Sequence, residues 1–224
     1  MSIQGITEGD IANFLVNTPG FFERHAELLS SIQLTSPHGK RAVSLQERQL
    51  EILRERIRGL ELKIVEMIRH GQENVAMADR LHRWTRALML TREAADVPST
   101  LVQRLQDEFL IPQAAIRLWN VAPTHASQPF AQAVGKDIKS FAESLRAPYC
   151  GANGGFEAVQ WLESPSAIAS MALLPLHHAS ATVGLLVLGS PDPTRYGADM
   201  GTEFLARMGE VASDGVARLM PASA

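Results

Sequence analysis

Residues 50–67 read LEILRERIRGLELKIVEM, and their apolar side chains recur at alternating steps of three and four residues. This spacing places the apolar positions on one stripe of an α-helix and defines a heptad repeat. No proline occurs from Val43 to Thr91, and strong helix formers fill the stretch. We therefore predict a single long helix over residues 43–91, a length that is typical of a coiled coil rather than of an ordinary globular helix.

The heptad predicts a parallel dimer. Its a positions hold Leu or Ile and its d positions hold Leu or Met, a combination that favours two parallel strands. In that arrangement Arg56 at g faces Glu61 at e of the partner helix. Packing of the same stripe within one chain is the alternative. We predict homodimerisation through a seam that consists of Leu50, Leu53, Ile57, Leu60, Ile64 and Met67.

The predicted seam weakens after Met67. The same register continues through Gly71, Asn74 and Thr85, whose side chains are small or polar. Such residues contribute little apolar contact between coiled-coil helices. We expect the two helices to separate there or to pack against something else, and a second domain to begin nearby.

Two short helices are predicted before the long one, in an N-terminal helical segment at residues 1–42. Thr7 and Asp10 have the spacing of a capping box at the start of the first helix. Pro19 follows Thr18 where a second helix can begin, because proline at the first helical position loses no needed N–H. Turn-forming residues at 35–40 then predict a loop. The segment should form a helical hairpin.

The last segment, residues 92–224, alternates between helical and strand-like patterns. Strands framed by helices favour the α+β class, with one antiparallel sheet flanked by helices. The periodicity predicts helices from Pro98, over 137–145 and near the C-terminus, strands over 113–121 and in a hairpin over 171–189, and a turn at Gly151–Gly155.

The composition is that of a globular protein without a strong charge. The formal net charge is −3, with 21 Lys and Arg against 24 Asp and Glu, which gives no global drive towards nucleic acid or an anionic membrane. No apolar run approaches the roughly 20 residues of a membrane helix, and residues 1–10 do not resemble a signal peptide. The single cysteine, Cys150, excludes an internal disulfide. We expect a cytoplasmic protein without membrane contact.

Several strings of sequence carry a family likeness. They are AVSLQERQ at 42–49, LRER at 53–56, LLPL at 173–176 and GLLVLGSPDPTRY at 184–196. Together they resemble the bacterial domain-of-unknown-function 484 family over nearly the whole chain. The C-terminal part of that family is similar to GAF domains, so the resemblance implies a small-molecule pocket on one face of an antiparallel sheet. It also implies a link to a tyrosine site-specific recombinase, whose gene often neighbours that of the family.

The sequence contains no motif for catalysis. HExxH, Walker A and GxSxG patterns do not occur, nor does the cyclic-nucleotide signature or the Cys-His bilin attachment site of some GAF domains. The reductase chemistry of other GAF domains needs more than one thiol, and Cys150 is expected to be a small buried hydrophobe. His177 and His178 are adjacent on a predicted strand, so they point to opposite faces and cannot share a metal. We expect no enzyme activity, no cofactor and no metal site.

One strand face carries the candidate ligand-binding residues. Arg117 and Trp119 project to the same face of their predicted strand and suit an anionic or aromatic ligand. Phe156 and Trp161 can close such a pocket from a loop, and His177 can line it. The alternative is that Trp119 belongs to the core and that Arg117 forms a structural ion pair.

Basic residues before the seam raise the question of nucleic-acid binding. Six of them lie at positions 40, 41, 48, 54, 56 and 58, but Glu47, Glu51 and Glu55 interrupt the series. Interleaved signs on a long helix are typical of a solvated face, so direct nucleic-acid binding is not favoured.

The sequence as a whole favours a non-catalytic regulatory or signalling homodimer whose GAF-like domain binds an unidentified small molecule. The alternative is a protein-interaction scaffold with an empty GAF-like domain, acting with a protein partner such as a site-specific recombinase.

Overall fold

The computed structural model describes residues 6–31, 45–197 and 201–221, and of residues 29–31 and 45–48 it describes the backbone alone. The chain divides into two units, Met1–Leu62 and Lys63–Ala224. The loop predicted at 35–40 and the predicted helix start at Val43 lie outside the described residues. The described α-helices are α1 (Glu8–Asn17), α2 (Phe21–Arg24), α3 (Ala26–Ser31), α4 (Leu45–Leu90), α5 (Val97–Phe109), α6 (Lys136–Ser144) and α7 (Glu203–Val216), and the described strands are β1 (Gln113–Leu118), β2 (Tyr149–Ala152), β3 (Ser170–His178) and β4 (Ala181–Ser190).

The N-terminal unit begins with the predicted capping box. The Thr7 hydroxyl accepts a hydrogen bond from the Asp10 backbone N–H at 3.3 Å, and the Asp10 carboxylate accepts one from the Thr7 N–H at 2.8 Å. The hydrogen bonds from the side chain and backbone of Thr7 lower the pKa of Asp10. Phe14 and Phe21 meet edge to face at 5.7 Å between ring centroids. The first predicted helix start is present, with α1 after Thr7, whereas the second helix begins at Phe21 after Gly20 and is divided at His25 into α2 and α3.

Helix α4 confirms the predicted long helix, at 46 residues. Apolar residues recur at steps of three and four among charged ones along most of its length. This is the spacing that a heptad requires. Among the described residues, no helix combines the length and the apolar character that crossing a bilayer needs.

The strands form one antiparallel sheet in the order β1-β4-β3-β2. The hairpin of β3 and β4 lies in the centre and accounts for the predicted strand pair. β1 pairs with β4 over its whole length, from Gln113 opposite Gly189 to Leu118 opposite Gly184. The fold is thus α+β with an antiparallel sheet, as the sequence predicted.

Each face of the sheet is covered by a separate apolar core. We call the helices, strands and loops of residues 97–221 the sheet domain. The first core lies between the sheet, α5, α7 and the last turns of α4, and it includes Trp84, Leu105, Leu174, Leu186 and Met208. The second core lies on the opposite face beneath α6 and residues 157–162, and it includes Trp119, Ile138, Val159, Leu173 and Val187.

Two strand predictions need correction. Gly151 and Ala152, predicted to form a turn, belong to β2 and pair with Met171 and Ser170. Local glycine content disfavours a strand, but the neighbouring strand β3 supplies the backbone partners. The strand predicted at 113–121 ends as a regular element at Leu118, although the Trp119 N–H still donates to the Val183 carbonyl at 2.8 Å.

Candidate functional site

Arg117 is held at the end of β1 by neutral acceptors. Its guanidinium donates to the Pro129 carbonyl at 3.0 Å and to Gln132 Oε1 at 2.8 Å. The guanidinium carbon also lies 5.8 Å from the ring centroid of Trp161, in a cation–π arrangement. Desolvation lowers the pKa of Arg117. Among the described residues, no carboxylate forms an ion pair with the Arg117 guanidinium. The guanidinium can therefore still form an ion pair with an anionic group of a ligand.

A cavity of about 550 Å³ lies along the outer edge of β1. Val102, Gln103 and Gln106 of α5 line one side, and the segment 128–130 lines the other, with Arg117 between them. β1 pairs with β4 on one side only among the described strands, so the cavity adjoins an unpaired strand edge. We call it the β1-edge groove. Its lining combines apolar side chains and amides with the Asp96 carboxylate, the Ser99 hydroxyl and the Arg117 guanidinium.

Trp119 belongs to the second core. It is 6% exposed, and its indole N–H donates to the Thr182 carbonyl at 2.7 Å. The Lys139 ammonium lies 5.8 Å from its ring centroid. On the same face, Met171, Leu173, Leu185 and Val187 are fully buried. The protein's own side chains therefore cover the sheet face that the sequence analysis assigned to a ligand.

The other three predicted ligand residues lie in different surroundings. Phe156 packs in an aromatic cluster, with ring centroids 5.5 Å from Phe141 and 5.2 Å from Tyr149. Trp161 ends a short 3-10 helix, Glu157–Trp161, and contacts Arg117. The structure thus brings Arg117 and Trp161 together and leaves Phe156 in its own cluster.

His177 lies away from that pair, next to α7. Its backbone N–H donates to Ser213 Oγ at 2.9 Å, and its Nδ1 is 3.3 Å from Thr182 Oγ1. The exposed imidazole lines a second cavity of about 530 Å³ together with Glu210 and Asp214 of α7. His177 therefore belongs to a cavity that Arg117 does not reach.

Cys150 is buried in the first core, and burial raises the pKa of its thiol. A raised pKa keeps the thiol protonated at neutral pH, where a thiolate would be the nucleophile. In residues 6–31, 45–197 and 201–221, no group of three or more His, Cys, Asp or Glu side chains is placed to hold a metal ion.

The predicted seam residues of α4 all point into solvent. Leu50, Leu53, Ile57, Leu60, Ile64 and Met67 are between 50% and 69% exposed. Most of the other side chains between residues 49 and 79 are exposed as well. The dimer itself remains a prediction.

The last turns of α4 form a joint with the sheet domain that the sequence analysis did not identify. Trp84 is fully buried, donates its indole N–H to the Leu101 carbonyl at 3.1 Å and meets Phe109 edge to face at 6.4 Å. Arg83 forms an ion pair with Glu108 at 2.9 Å. Arg218 donates to the carbonyls of Thr91 and Arg92, at 3.0 and 2.9 Å, just beyond the helix end. The sequence signal for this contact was Trp84 itself, a large apolar residue among the basic residues near the end of α4.

Solved structures similar to the chain include several GAF domains. The structure of the A. aeolicus Nlh2 GAF domain in an inactive state is 9% identical to this chain, with a TM-score of 0.47. The match covers 63% of this chain and 96% of that one. The GAF domain of the Acinetobacter phosphoenolpyruvate-protein phosphotransferase is 14% identical with a TM-score of 0.44, covering 63% and 92%. The GAF domain of the Escherichia coli potassium sensor histidine kinase KdpD is 18% identical with a TM-score of 0.41, covering 63% and 94%.

These values are too low to transfer a function from any of the three proteins. No curated protein matches the chain. The sequence family described as "Protein of unknown function, DUF484" matches residues 1–220, which is nearly the whole chain. The chain therefore belongs to the DUF484 family.

Proposed function

We propose that this chain is a dimeric, non-catalytic cytoplasmic regulator in which α4 links a coiled-coil seam to the sheet domain. One observation carries the proposal. A single helix leaves an apolar stripe exposed at Leu50–Met67 and, farther along, buries Trp84 and Leu88 in the first core. Exposure of so many large apolar side chains is unfavourable unless a partner covers them.

The joint supplies the coupling that a regulator needs. Trp84 contacts α5 through the Leu101 carbonyl and the Phe109 ring, and Arg83 is paired with Glu108 of the same helix. Any ligand or protein that shifts α5 therefore acts directly on the last turns of α4. A well-packed core transmits such a displacement because it has few voids in which to absorb it.

The β1-edge groove is the candidate site for a ligand with an anionic group at Arg117 and a neutral or cationic group near Asp96, which also lines the groove. Arg117 lies between its walls, bonded to a carbonyl and an amide oxygen rather than to a carboxylate. A carboxylate or phosphate group can add charge-assisted hydrogen bonds to such a guanidinium. Val102 and Gln106 on the opposite wall are part of α5, the helix that contacts Trp84. A ligand in the groove would therefore contact α5, the helix that packs against the end of α4.

The absence of catalysis is part of the proposal. Its support is Cys150, whose buried thiol has a raised pKa and therefore lacks the thiolate character of a nucleophile. The His177 backbone N–H donates to Ser213 Oγ of α7, and the Thr182 hydroxyl that meets its Nδ1 at 3.3 Å belongs to a buried side chain.

A scaffold without a ligand is the second candidate, and the packing of the second core favours it. The sheet face around Trp119 is filled by Met171, Leu173 and Leu185, which are fully buried. In that case the sheet domain would bind a protein partner, for which the family resemblance implies a site-specific recombinase.

Sedimentation equilibrium tests the dimer. Replacing Leu60 and Ile64 together by Lys places four buried charges in a dimer seam, and we expect the Kd of the dimer to rise at least about 100-fold, equivalent to about 2.7 kcal/mol. The matched control replaces Leu62 and Val65 by Lys, since both are exposed apolar residues of α4 outside the seam. The control should remain dimeric. A wild-type chain that sediments as a monomer, or equal weakening by both variants, would contradict the proposal.

Thermal unfolding with a panel of carboxylate and phosphate metabolites separates the two candidates. A metabolite that raises the Tm of the wild type in proportion to its occupancy, but not that of Arg117→Gln, supports the ligand-binding regulator. Arg104→Gln is the matched control, because Arg104 is exposed on α5 and does not line the groove. The scaffold is favoured if no compound shifts the Tm of the wild type.

A further inference from the structure

The uninterrupted heptad predicts one environment for the end of α4, and the structure shows another. In that register Leu81 and Leu88 occupy d positions and should face a partner helix. In the structure Leu88 is buried in the first core and Leu81 packs against it. One side chain cannot fill a coiled-coil seam and the core of its own domain at once. The seam therefore cannot continue in the original register as far as Leu81.

A second row of exposed apolar and small residues continues from Ile64 by a different route. It consists of Ile68, Gly71, Val75 and Ala78, all exposed, and it differs from the uninterrupted heptad by having Ile68 and Val75 in place of Met67 and Asn74. The step from Ile64 to Ile68 is four residues where the heptad has three, and steps of three, four and three follow. Asn74, the polar d residue of the uninterrupted heptad, lies outside this row.

The new row repeats the spacing of the first part of the seam. Leu53, Ile64 and Val75 are eleven residues apart, as are Leu60 and Gly71. Eleven residues make about three turns of an α-helix, so side chains at this spacing line up along one nearly straight stripe. Trp84 comes six residues after Ala78, which places it about 120° around the helix. The shifted row thus lies on a different face from Trp84, and it ends at Ala78, three residues before Leu81 packs against the first core.

The surface of α4 has a depression on this row. A shallow groove that is open to solvent and lined by α4 alone is formed by Ile68, Gly71, Val75 and their neighbours Gln72, Ala76 and Asp79, and not by Asn74. A Cβ added to Gly71 would meet no atom within 4 Å, so packing within the chain does not require glycine there. Glycine in a helix interior weakens the helix relative to alanine. A partner helix that approaches closely at this position gives the glycine a role.

We propose that a second copy of this chain occupies this groove, so that the dimer seam shifts after Ile64 and continues through Ile68, Gly71, Val75 and Ala78. The inference rests on the proposed dimer and extends its interface. A second copy fits because the row is continuous with the seam, where Arg56 and Glu61 are complementary in a parallel pair. In an in-register pair each Gly71 meets its own counterpart, and the small side chains allow the close approach that the groove provides. Eleven-residue spacing also removes the left-handed supercoil from this part of the dimer.

Disulfide cross-linking tests the register. Leu60→Cys, Val75→Cys and Asn74→Cys are each made in a Cys150→Ala background, whose fold is verified by its thermal unfolding. Cross-linking under mild oxidation is followed on non-reducing gels. We expect Leu60→Cys and Val75→Cys to form dimers rapidly and Asn74→Cys to react at least about tenfold more slowly, because only the first two lie in the shifted seam.

The other outcomes distinguish the inference from the proposed function. Rapid reaction of Leu60→Cys and Asn74→Cys with slow Val75→Cys would keep the dimer and overturn the shift. Reaction of Leu60→Cys alone would mean that the helices separate after Ile64, which also overturns it. A monomeric protein in which Leu60→Cys fails to react would contradict the proposed dimer as well. In the chain with native Cys150, Val75→Lys should weaken the dimer in sedimentation and Asn74→Lys should not, and the reverse result would overturn the shift.

Discussion

Helix α4 carries apolar side chains at both of its ends, and the two ends meet different surroundings. From Leu50 to Met67 the apolar stripe is exposed, whereas Trp84 and Leu88 are buried in the first core. Both regions have apolar residues at helical spacing, although acidic and basic residues surround the first and only basic ones the second. The contrast teaches that periodicity identifies an apolar face but not what covers it. That is decided by which elements the rest of the chain places beside the helix.

The largest effect should come from breaking the buried end. Trp84→Ala removes a fully buried indole and its hydrogen bond to Leu101, and we expect it to lower the free energy of unfolding of the sheet domain by about 3–5 kcal/mol. Urea denaturation followed by circular dichroism measures the loss. Trp84→Phe keeps a ring and loses the hydrogen bond, so it should cost less. A loss below about 1 kcal/mol for Trp84→Ala would mean that the joint is not part of the core.

Truncation at the exposed end should affect association alone. Leu60→Ala removes apolar area from each helix of the proposed seam, and we expect at least a tenfold rise in the Kd of the dimer, about 1.4 kcal/mol. Sedimentation equilibrium measures it, and the unfolding of the sheet domain should be unchanged. Leu62→Ala is the matched control, an exposed leucine outside the seam. If Leu60→Ala instead destabilised the sheet domain, the distinction between the two ends would be lost.

The first core contains a buried tyrosine, Tyr196, whereas the seam contains none. The Tyr196 hydroxyl has no hydrogen-bond partner among the described residues. Tyr196→Phe should raise the free energy of unfolding by about 1 kcal/mol at pH 7, because an unpaired polar group is no longer desolvated. Denaturant unfolding of the two proteins measures the difference. Destabilisation by the substitution would show that the hydroxyl has a partner in solution.

Alkaline titration provides a second measurement on the same variant. Burial raises the pKa of Tyr196 above its ordinary value of 10.0. Above that pH the unfolded chain loses the phenolic proton while the folded chain keeps it, so stability falls as the pH rises towards the folded pKa. Tyr196→Phe should fall less steeply over this range. Equal slopes for the two proteins would contradict the assignment.

The smallest effect should come from the ion pair at the joint. Arg83 is 55% exposed and Glu108 is 20% exposed, so solvent screens their attraction. A double-mutant cycle with Arg83→Ala and Glu108→Ala should give a coupling of about 0.5 kcal/mol that decreases in 1 M NaCl. A coupling comparable to the loss from Trp84→Ala would mean that charge rather than burial holds the joint.

Much of the fold follows from local patterns in the sequence. The capping box at Thr7, the length of α4 and the β3–β4 hairpin were all predictable, because caps, proline-free periodicity and strand alternation act over short distances. Strand β2 was not, since its four residues are selected by pairing with β3 and their own composition favours a turn. The prediction succeeded where local and tertiary preferences agree.

The candidate site was predictable only in part. The proximity of Arg117 and Trp161 has structural support, but His177 lines another cavity because a register shift between Leu176 and His177 and the packing of α7 set its position. The β1-edge groove depends on how α5 and the segment 128–130 lie beside one strand, and no local pattern encodes that arrangement.

The hydrogen bonds of Arg218 bear on the order in which parts of the protein form during synthesis. Its bonds to Thr91 and Arg92 join residues that are 127 and 126 positions apart. Translation proceeds from the N-terminus, so α4 leaves the ribosome long before the residues that hold its end have been made. Under the proposed dimer, neighbouring nascent chains on one messenger RNA meet through the exposed stripe while the sheet domain is still incomplete. Assembly of the proposed dimer would then begin at the seam and finish at Arg218.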